Sequence, residues 1–126
     1  MFRPDWPQYF TQIAKAVSQR ATCPRASVGA VIVSVDNRIL ATGYNGAPAV
    51  WEQCDEIGCD VVDNHCQRAI HAEVNAIGYA ARYGVSLKGS RMYIYSDKSF
   101  INGPCRECTK VMLAAGVEWQ TYTQSL

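Results

Sequence analysis

"GPCRECTKVMLAAG", residues 103–116, sets a proline, two cysteines three apart and a terminal glycine around a short apolar-periodic stretch. Pro104 suits the first position of a helix, where its missing N–H is not needed. Gly116 suits the residue just past the end. The stretch therefore predicts a helix that opens on Cys105 and Cys108. Residues three apart share a helix face. The positive end of the helix dipole lowers thiol pKa values and supplies thiolates. Two thiolates on one face are half of a tetrahedral metal site. They are equally the pattern of a redox pair, so the rest of the chain must decide between the two.

Strands flank this helix: "SRMYIYS" (90–96) before it and "VEWQTYT" (117–123) after it. "QRAIHAEVNAIGYAARYG" (67–84) is rich in alanine and predicts a second helix stopped by Gly84. Further upstream, "SVGAVIVSV" (27–35) and "RILATGYN" (38–45) are apolar and β-branched. With Asp36-Asn37 between them they predict a hairpin on a two-residue turn. "GYNGAP" (43–48) reads as a loop, and Val50 to Asn64 shows no period. At the start, Asp5 is placed to cap a helix that tolerates Pro7 in its first turn. Trp6, Phe10, Ile13, Ala14 and Val17 recur at helical spacing, and this helix is expected to end near Ala21. A hairpin followed by alternating helices and strands predicts a layered α/β domain. The thioredoxin-like βαβ opening that a redox pair usually requires is missing.

The 126 residues suit one domain spanning 1–126, and 48% hydrophobic content is enough for a core without a metal. Charged residues make up 18%, the net charge is +1, and no basic run occurs. This pattern argues against a polymeric nucleic-acid partner or a membrane surface. "MFRPDWPQYF" does not read as a signal peptide, and no apolar run approaches the ~18 residues of a membrane span. The expected compartment is a reducing cytoplasm (a host's, for a virus). There, six Cys and two His read as thiols and metal ligands before disulfides.

The third ligand stands at "HAE", 71–73. One His and two Cys leave the fourth tetrahedral position for water, the pattern of a catalytic zinc site. Glu73 lies two residues on, about 200° around a helix. It is poorly placed to ligate along the same face and well placed to hold a proton beside the water.

H-x-E followed by P-C-x-x-C is the signature of the zinc-dependent nucleobase deaminases. The chain resembles the cytidine/deoxycytidylate deaminase superfamily and, within it, the deoxycytidylate (dCMP) deaminases of phage and bacterial type. The stretches that carry the likeness are "ATCPRASVGAVIV", "GYNGAP", "NHC", "IHAEVNAI", "AARYG" and "GPCREC". They run from about Ala21 to Gly116.

The resemblance implies a three-layer α/β/α fold with a mixed sheet of four to five strands. It implies deamination of dCMP to dUMP with loss of ammonia, supplying dUMP for thymidylate synthesis. Zinc would be held by His71, Cys105 and Cys108, with Glu73 as proton carrier. Asn45 would reach the deoxyribose or base, and the Ala72 backbone would accept from the cytosine amino group. Arg25 and Ser27 either touch phosphate or belong to a solvated loop. Arg82 either crosses a subunit interface toward a neighbour's site or is an ordinary surface cation. Gly43, Tyr44, Asn45 and Gly46 would belong to an effector site for dCTP (activator) and dTTP (inhibitor), with Mg²⁺ accompanying the triphosphate. A homohexamer is the implied assembly.

Cys23, Cys54, Cys59, His65 and Cys66 are left over, either as inert thiols or as a second, structural zinc site. The resemblance favours the latter, with Cys23, Cys54, Cys59 and His65 as ligands and Cys66 as the substitute. The chain departs from many relatives by stopping soon after "VEWQTYT" and by a longer approach, "SDKSFIN", to Pro104. Two rival readings remain. One is another enzyme of the superfamily, acting on free cytidine or deoxycytidine, which would need no phosphate holder, or on adenosine in tRNA, against which the weak net charge and lack of a basic patch argue. The other is a zinc-ordered interaction module, which would have no need of Glu73.

Overall fold

Alternate residues of a strand face opposite sides of a sheet, and in residues 28–33 and 92–95 both sides are apolar. A computed structural model describes residues 2–98 and 105–124 and shows both sides covered. In chain order the elements are α1 (Trp6–Ser18), β1 (Val28–Val33), β2 (Ile39–Tyr44), α2 (Cys54–Ile57), β3 (Val61–Val62), β4 (His65–Cys66), α3 (Ala72–Arg82), β5 (Ser90–Ser96), α4 (Arg106–Ala115) and β6 (Val117–Gln124).

The main sheet has the order β2-β1-β5-β6. β1 runs antiparallel to both β2 and β5, and β6 runs parallel to β5. Val31, Val33, Tyr93 and Tyr95 pack with Phe10 and Ala14 of α1 on one face. Ala30, Ile32, Met92 and Ile94 pack with Ala72, Ala76 and Ala80 of α3 and Met112 of α4 on the other. The result is the expected three-layer α/β/α arrangement on a mixed four-stranded sheet. No helix among the described residues is long and apolar enough to cross a membrane.

Two glycines let helix backbone lie directly on strand backbone. A methyl group at Gly29 would collide with Ala14 and Ser18 of α1. One at Gly43 would collide with Ala72 and Ala76 of α3. The small residues on α3 and the missing side chain on β2 are two halves of one close contact.

Several boundaries differ from the sequence expectation. α1 ends at Ser18 and not near Ala21. Gln19, Arg20 and Ala21 donate to Ala16, Val17 and Ser18 in tight i→i+3 turns, and Thr22 N–H turns away to the Asn45 carbonyl. The β1–β2 turn is longer than two residues. Ser34 N–H donates to the Arg38 carbonyl, so Val35, Asp36 and Asn37 form the loop, with Asn37 left-handed at φ 64°. α3 begins at Ala72 and not at Gln67, because Ile70 and Gly46 exchange backbone hydrogen bonds and hold 67–70 out of the helix. The aperiodic segment holds the short α2 and the β3–β4 hairpin, whose turn residues Asp63 and Asn64 are both left-handed. The assignment of Pro104 as first helical residue, and most of the "SDKSFIN" approach, lie outside the described residues.

Gly43→Ala is expected to destabilise the protein by about 3 kcal/mol, the upper range for overpacking. Gly78→Ala, on the open face of α3 where an added methyl meets nothing, is expected to stabilise by about 0.5–1 kcal/mol through helix propensity. Guanidinium denaturation midpoints of the two variants check both signs.

Candidate active site

Two helices begin at one place. His71 precedes α3 and Cys105 precedes α4, each in extended backbone at the N-cap. Cys105 Sγ accepts the Cys108 N–H at 3.3 Å, so a sulfur does the capping usually done by oxygen. His71 makes no side-chain cap. Its Nδ1 lies 3.1 Å from Cys108 Sγ and 3.5 Å from Cys105 Sγ, and the two sulfurs are 3.2 Å apart. A tetrahedral zinc with Zn–S of about 2.3 Å and Zn–N of about 2.0 Å has ligand-to-ligand edges of about 3.5–3.8 Å. The three atoms fit that triangle with a slight opening. Burial drives the Cys108 thiol pKa upward, with the Glu73 charge and Cys105 adding to it. A coordinated divalent cation reverses this logic and leaves the sulfur as thiolate.

Glu73 is the second residue of α3, and its side chain turns inward to 5% exposure. Burial pushes its carboxyl pKa up. Its own backbone N–H, His71 and the Cys108 thiol offset part of the rise.

These groups open onto a cavity of about 370 Å³, within the range of small-ligand pockets. Ala72 and Glu73 form its buried floor. Val28, Ile70, Ile94 and Tyr122 line its sides, and Arg25, Asn64 and His65 stand exposed at its rim. Asn45 also lines it. The Asn45 Oδ1 accepts the Val28 N–H and its Nδ2 donates to the Ala26 carbonyl, both at 2.8 Å. The amide thereby staples the end of β2 to the start of β1.

The other expected site residues are placed differently. Ser27 does not line the cavity; its N–H donates to the Asp97 carboxylate at 2.8 Å and its carbonyl accepts from Asp97 N–H. Arg82 is at the far end of α3, 5.9 Å from the Tyr83 ring centroid and outside the cavity. Gly43 is used in packing α3, and Gly46 in pairing with Ile70. The Tyr44 carbonyl accepts from Asn75.

A second group of sulfurs gathers beside the cavity. Those of Cys23, Cys54 and Cys59 lie within 4.8 Å of one another. Cys66 Sγ is 3.5 Å from Cys54 Sγ, and Cys23 and Cys59 are 3.9 Å apart. Neither His65 nor Cys66 belongs to the group of three; Cys66 approaches it at Cys54, and His65 lines the cavity. Burial pushes the Cys54 thiol up to about 12. At Cys66 burial also acts upward, yet backbone hydrogen bonds with Ala69, Asp60 and Arg68 outweigh it and lower the pKa to about 7. Hydrogen bonds to the charged form favour it, which is the physical cause of the lowering at Cys66.

Two organising residues escaped the sequence reading. Asn75 Nδ2 donates to the carbonyls of Tyr44 at 2.8 Å and Gly46 at 3.2 Å, tying the loop to α3. Its signal was a lone amide on an alanine-rich helix, four residues after His71. Gln53 accepts from Thr22 Oγ1 and Ala47 N–H and donates to the carbonyls of Ala47 and Pro48. A glutamine in an aperiodic stretch carries no such signal.

The family model for the cytidine and deoxycytidylate deaminase zinc-binding region matches residues 4–123. The chain is 38% identical over 133 residues to the deoxycytidylate deaminase of Mycobacterium phage D29, covering 97% of each. It is 40% identical over 124 residues to ComE operon protein 2 of Bacillus subtilis, covering 98% of this chain and 62% of that protein. It therefore spans about three fifths of the Bacillus relative's length. Among solved structures, the dCMP deaminase of cyanophage S-TIM5 in complex with dCMP and dUMP superposes with a TM-score of 0.77 at 28% identity. That superposition covers 99% of this chain and 86% of the phage chain.

Asn75→Ala removes the donor to two loop carbonyls. The expected loss is about 1–3 kcal/mol, with faster amide hydrogen exchange across residues 44–47 than in the α1 region as the local readout.

Proposed function

The chain belongs to the cytidine and deoxycytidylate deaminase family, and we propose that it hydrolyses dCMP to dUMP and ammonia. The observation that carries this reading is a buried carboxylate, Glu73, set beside an open His–Cys–Cys triangle on the floor of a cavity of nucleotide size. The likeness to two phage proteins named as dCMP deaminases, each matched over most of its length, supports the nucleotide as substrate.

His71, Cys105 and Cys108 would hold the zinc. When bound, it supplies a Lewis acid that brings the pKa of water toward about 7. Glu73 performs the proton transfers. It takes a proton from the attacking water and delivers one to ring N3, which makes C4 electrophilic. It then takes the second proton from the new C4 hydroxyl, which becomes the carbonyl, and delivers it to the exocyclic nitrogen, which leaves as ammonia. One group doing both transfers works best with a pKa near the operating pH, and burial moves Glu73 in that direction. The Ala72 backbone would accept from the amino group, and Asn45 would meet the base or deoxyribose. Arg25, at the rim, would meet the phosphate.

Cys23, Cys54 and Cys59 gather within 4.8 Å of one another with Cys66 beside Cys54, which supports a second, structural zinc with Cys66 as its fourth ligand. A further layer of this reading rests on the resemblance: a cytoplasmic homohexamer feeding thymidylate synthesis, activated by dCTP and inhibited by dTTP with Mg²⁺. With Gly43 and Gly46 committed to packing and pairing, a loop-mediated effector signal would act through Tyr44 and Asn45.

Ultraviolet-monitored turnover of dCMP, with deoxycytidine alongside and with dCTP or dTTP added, tests the assignment. Turnover of dCMP with suppression by dTTP is the expected outcome, and turnover of deoxycytidine alone would move the protein to the nucleoside branch. Glu73→Gln is expected to lower kcat about 100- to 10,000-fold while metal content holds. Its folded pKa is raised, so ionisation of Glu73 weakens the fold as pH rises through that value. The glutamine variant should therefore melt at or above the wild-type temperature at pH 8. Elemental analysis should find two zinc ions per chain, falling to one in Cys66→Ser.

A further inference from the structure

All six cysteines are free thiols. Cys105 and Cys108 gather with His71, and Cys23, Cys54 and Cys59 gather with one another. Cys66 is outside both groups, with its Sγ 3.5 Å from that of Cys54.

The two members of this pair differ in access. Cys66 is half-buried and lines the cavity that has Glu73 at its floor. Cys54 is 2% exposed and does not line it. A reagent in the cavity therefore meets Cys66 first, with Cys54 behind it. Cys23 and Cys105 also line the cavity. Cys23 is buried and 3.9 Å from Cys59, and Cys105 is 3.2 Å from Cys108. These are the rival pairs.

The supports of Cys54 and Cys66 are able to give way. Cys54 opens the four-residue α2, and Cys66 closes the two-residue β4. No residue of α2, β3 or β4 belongs to the packing on either face of the main sheet. A disulfide holds its sulfurs at about 2.05 Å. Closing the 3.5 Å gap therefore asks for a movement of about 1.5 Å, which one helical turn and a short hairpin can absorb.

We propose that Cys66 is a modification site for low-molecular-weight disulfides entering the cavity, and that Cys54 resolves the adduct into a Cys54–Cys66 bridge. In the first step the Cys66 thiolate attacks one sulfur of the reagent. A mixed disulfide forms, the reagent's S–S bond breaks, and one half leaves as a thiolate. In the second step the Cys54 thiolate attacks the Cys66 sulfur, and the other half leaves. The two cysteines are oxidised by two electrons, and the reagent is reduced to two thiols, which take up the two protons. The bridge also withdraws two sulfurs from the second zinc. Only that consequence rests on the second-zinc reading.

The test exposes zinc-loaded wild-type protein to oxidised glutathione. Remaining thiols are blocked with N-ethylmaleimide, and every cysteine is mapped by peptide mass spectrometry over time. Cys66 is expected to take up glutathione first, about tenfold faster than any other cysteine, because access controls the rate. The Cys54–Cys66 bridge should then replace the adduct, and dithiothreitol should reverse it. In Cys54→Ser the adduct at Cys66 should accumulate unresolved. Zinc released to a colorimetric chelator should reach one equivalent as the wild-type bridge forms. Three outcomes overturn the inference. They are six intact thiols after exposure, a first adduct or bridge at either rival pair, and an adduct at Cys66 that persists in wild type. If Cys54→Ser does not fold, the wild-type time course decides alone. A Cys54–Cys66 bridge formed with no loss of zinc would uphold the inference and refute the second-zinc reading instead.

Discussion

The geometry of the site depends on how closely α3 can lie on β2. Gly43 presents no side chain, and Ala72 and Ala76 present very small ones, so helix backbone rests on strand backbone. That contact fixes the first turn of α3 in depth. Depth in turn decides that Glu73 is buried while His71, at the N-cap, can reach the two sulfurs of α4. A bulkier residue on either surface would lift the helix. A shift of about 1 Å is enough to spoil a catalytic arrangement even when every residue is retained. The alanines of α3 are therefore as much a part of the site as the ligands, though none carries reactive chemistry.

The two faces of the sheet and the meeting of His71 with Cys105 and Cys108 were readable because each has a local signature. The uninterrupted apolar run 28–33 and the shorter one at 92–95 mark strands buried on both sides. Proline, cysteine spacing and glycine mark α4, and "HAE" marks the start of α3. What the sequence did not disclose was long-range hydrogen bonding. The helix pattern of 67–84 extends over Gln67–Ile70, yet the chain there is held extended by Gly46, more than twenty residues away. α1 seemed to continue to Ala21 because propensity does not register a carbonyl at Asn45 waiting for the Thr22 N–H. Asn75 and Gln53 act through bonds of the same kind.

His65 shows the same limit at the level of chemistry. Counting ligands in the aperiodic segment offered histidine and cysteine as near equals for one coordination position. Composition cannot separate adjacent residues; strand alternation sends them to opposite sides, once a hairpin is known to exist. The hairpin rests on a two-residue left-handed turn, Asp63-Asn64, within the residue types such turns favour. The signal was present, but two-residue strands are too short to produce a visible period.

The two sulfur-rich groups divide the work by the environment each gives its thiols. At the His–Cys–Cys triangle, burial and the neighbouring Glu73 charge both oppose thiolate at Cys108. A cation held there would offset both and favour the thiolate. At the second group, backbone N–H donors already favour thiolate at Cys66, so part of the electrostatic work is done by the fold of 60–69. The first arrangement leaves a coordination position for chemistry. The second gathers beside a hairpin. Cys66 links that hairpin to Cys54 while Asn64 links it to Arg25, so the sulfur group and the rim of the cavity are joined through one hairpin. An irregular segment with little core of its own thus acquires a defined position over the cavity, which neither its sequence period nor its short helix and strands could supply.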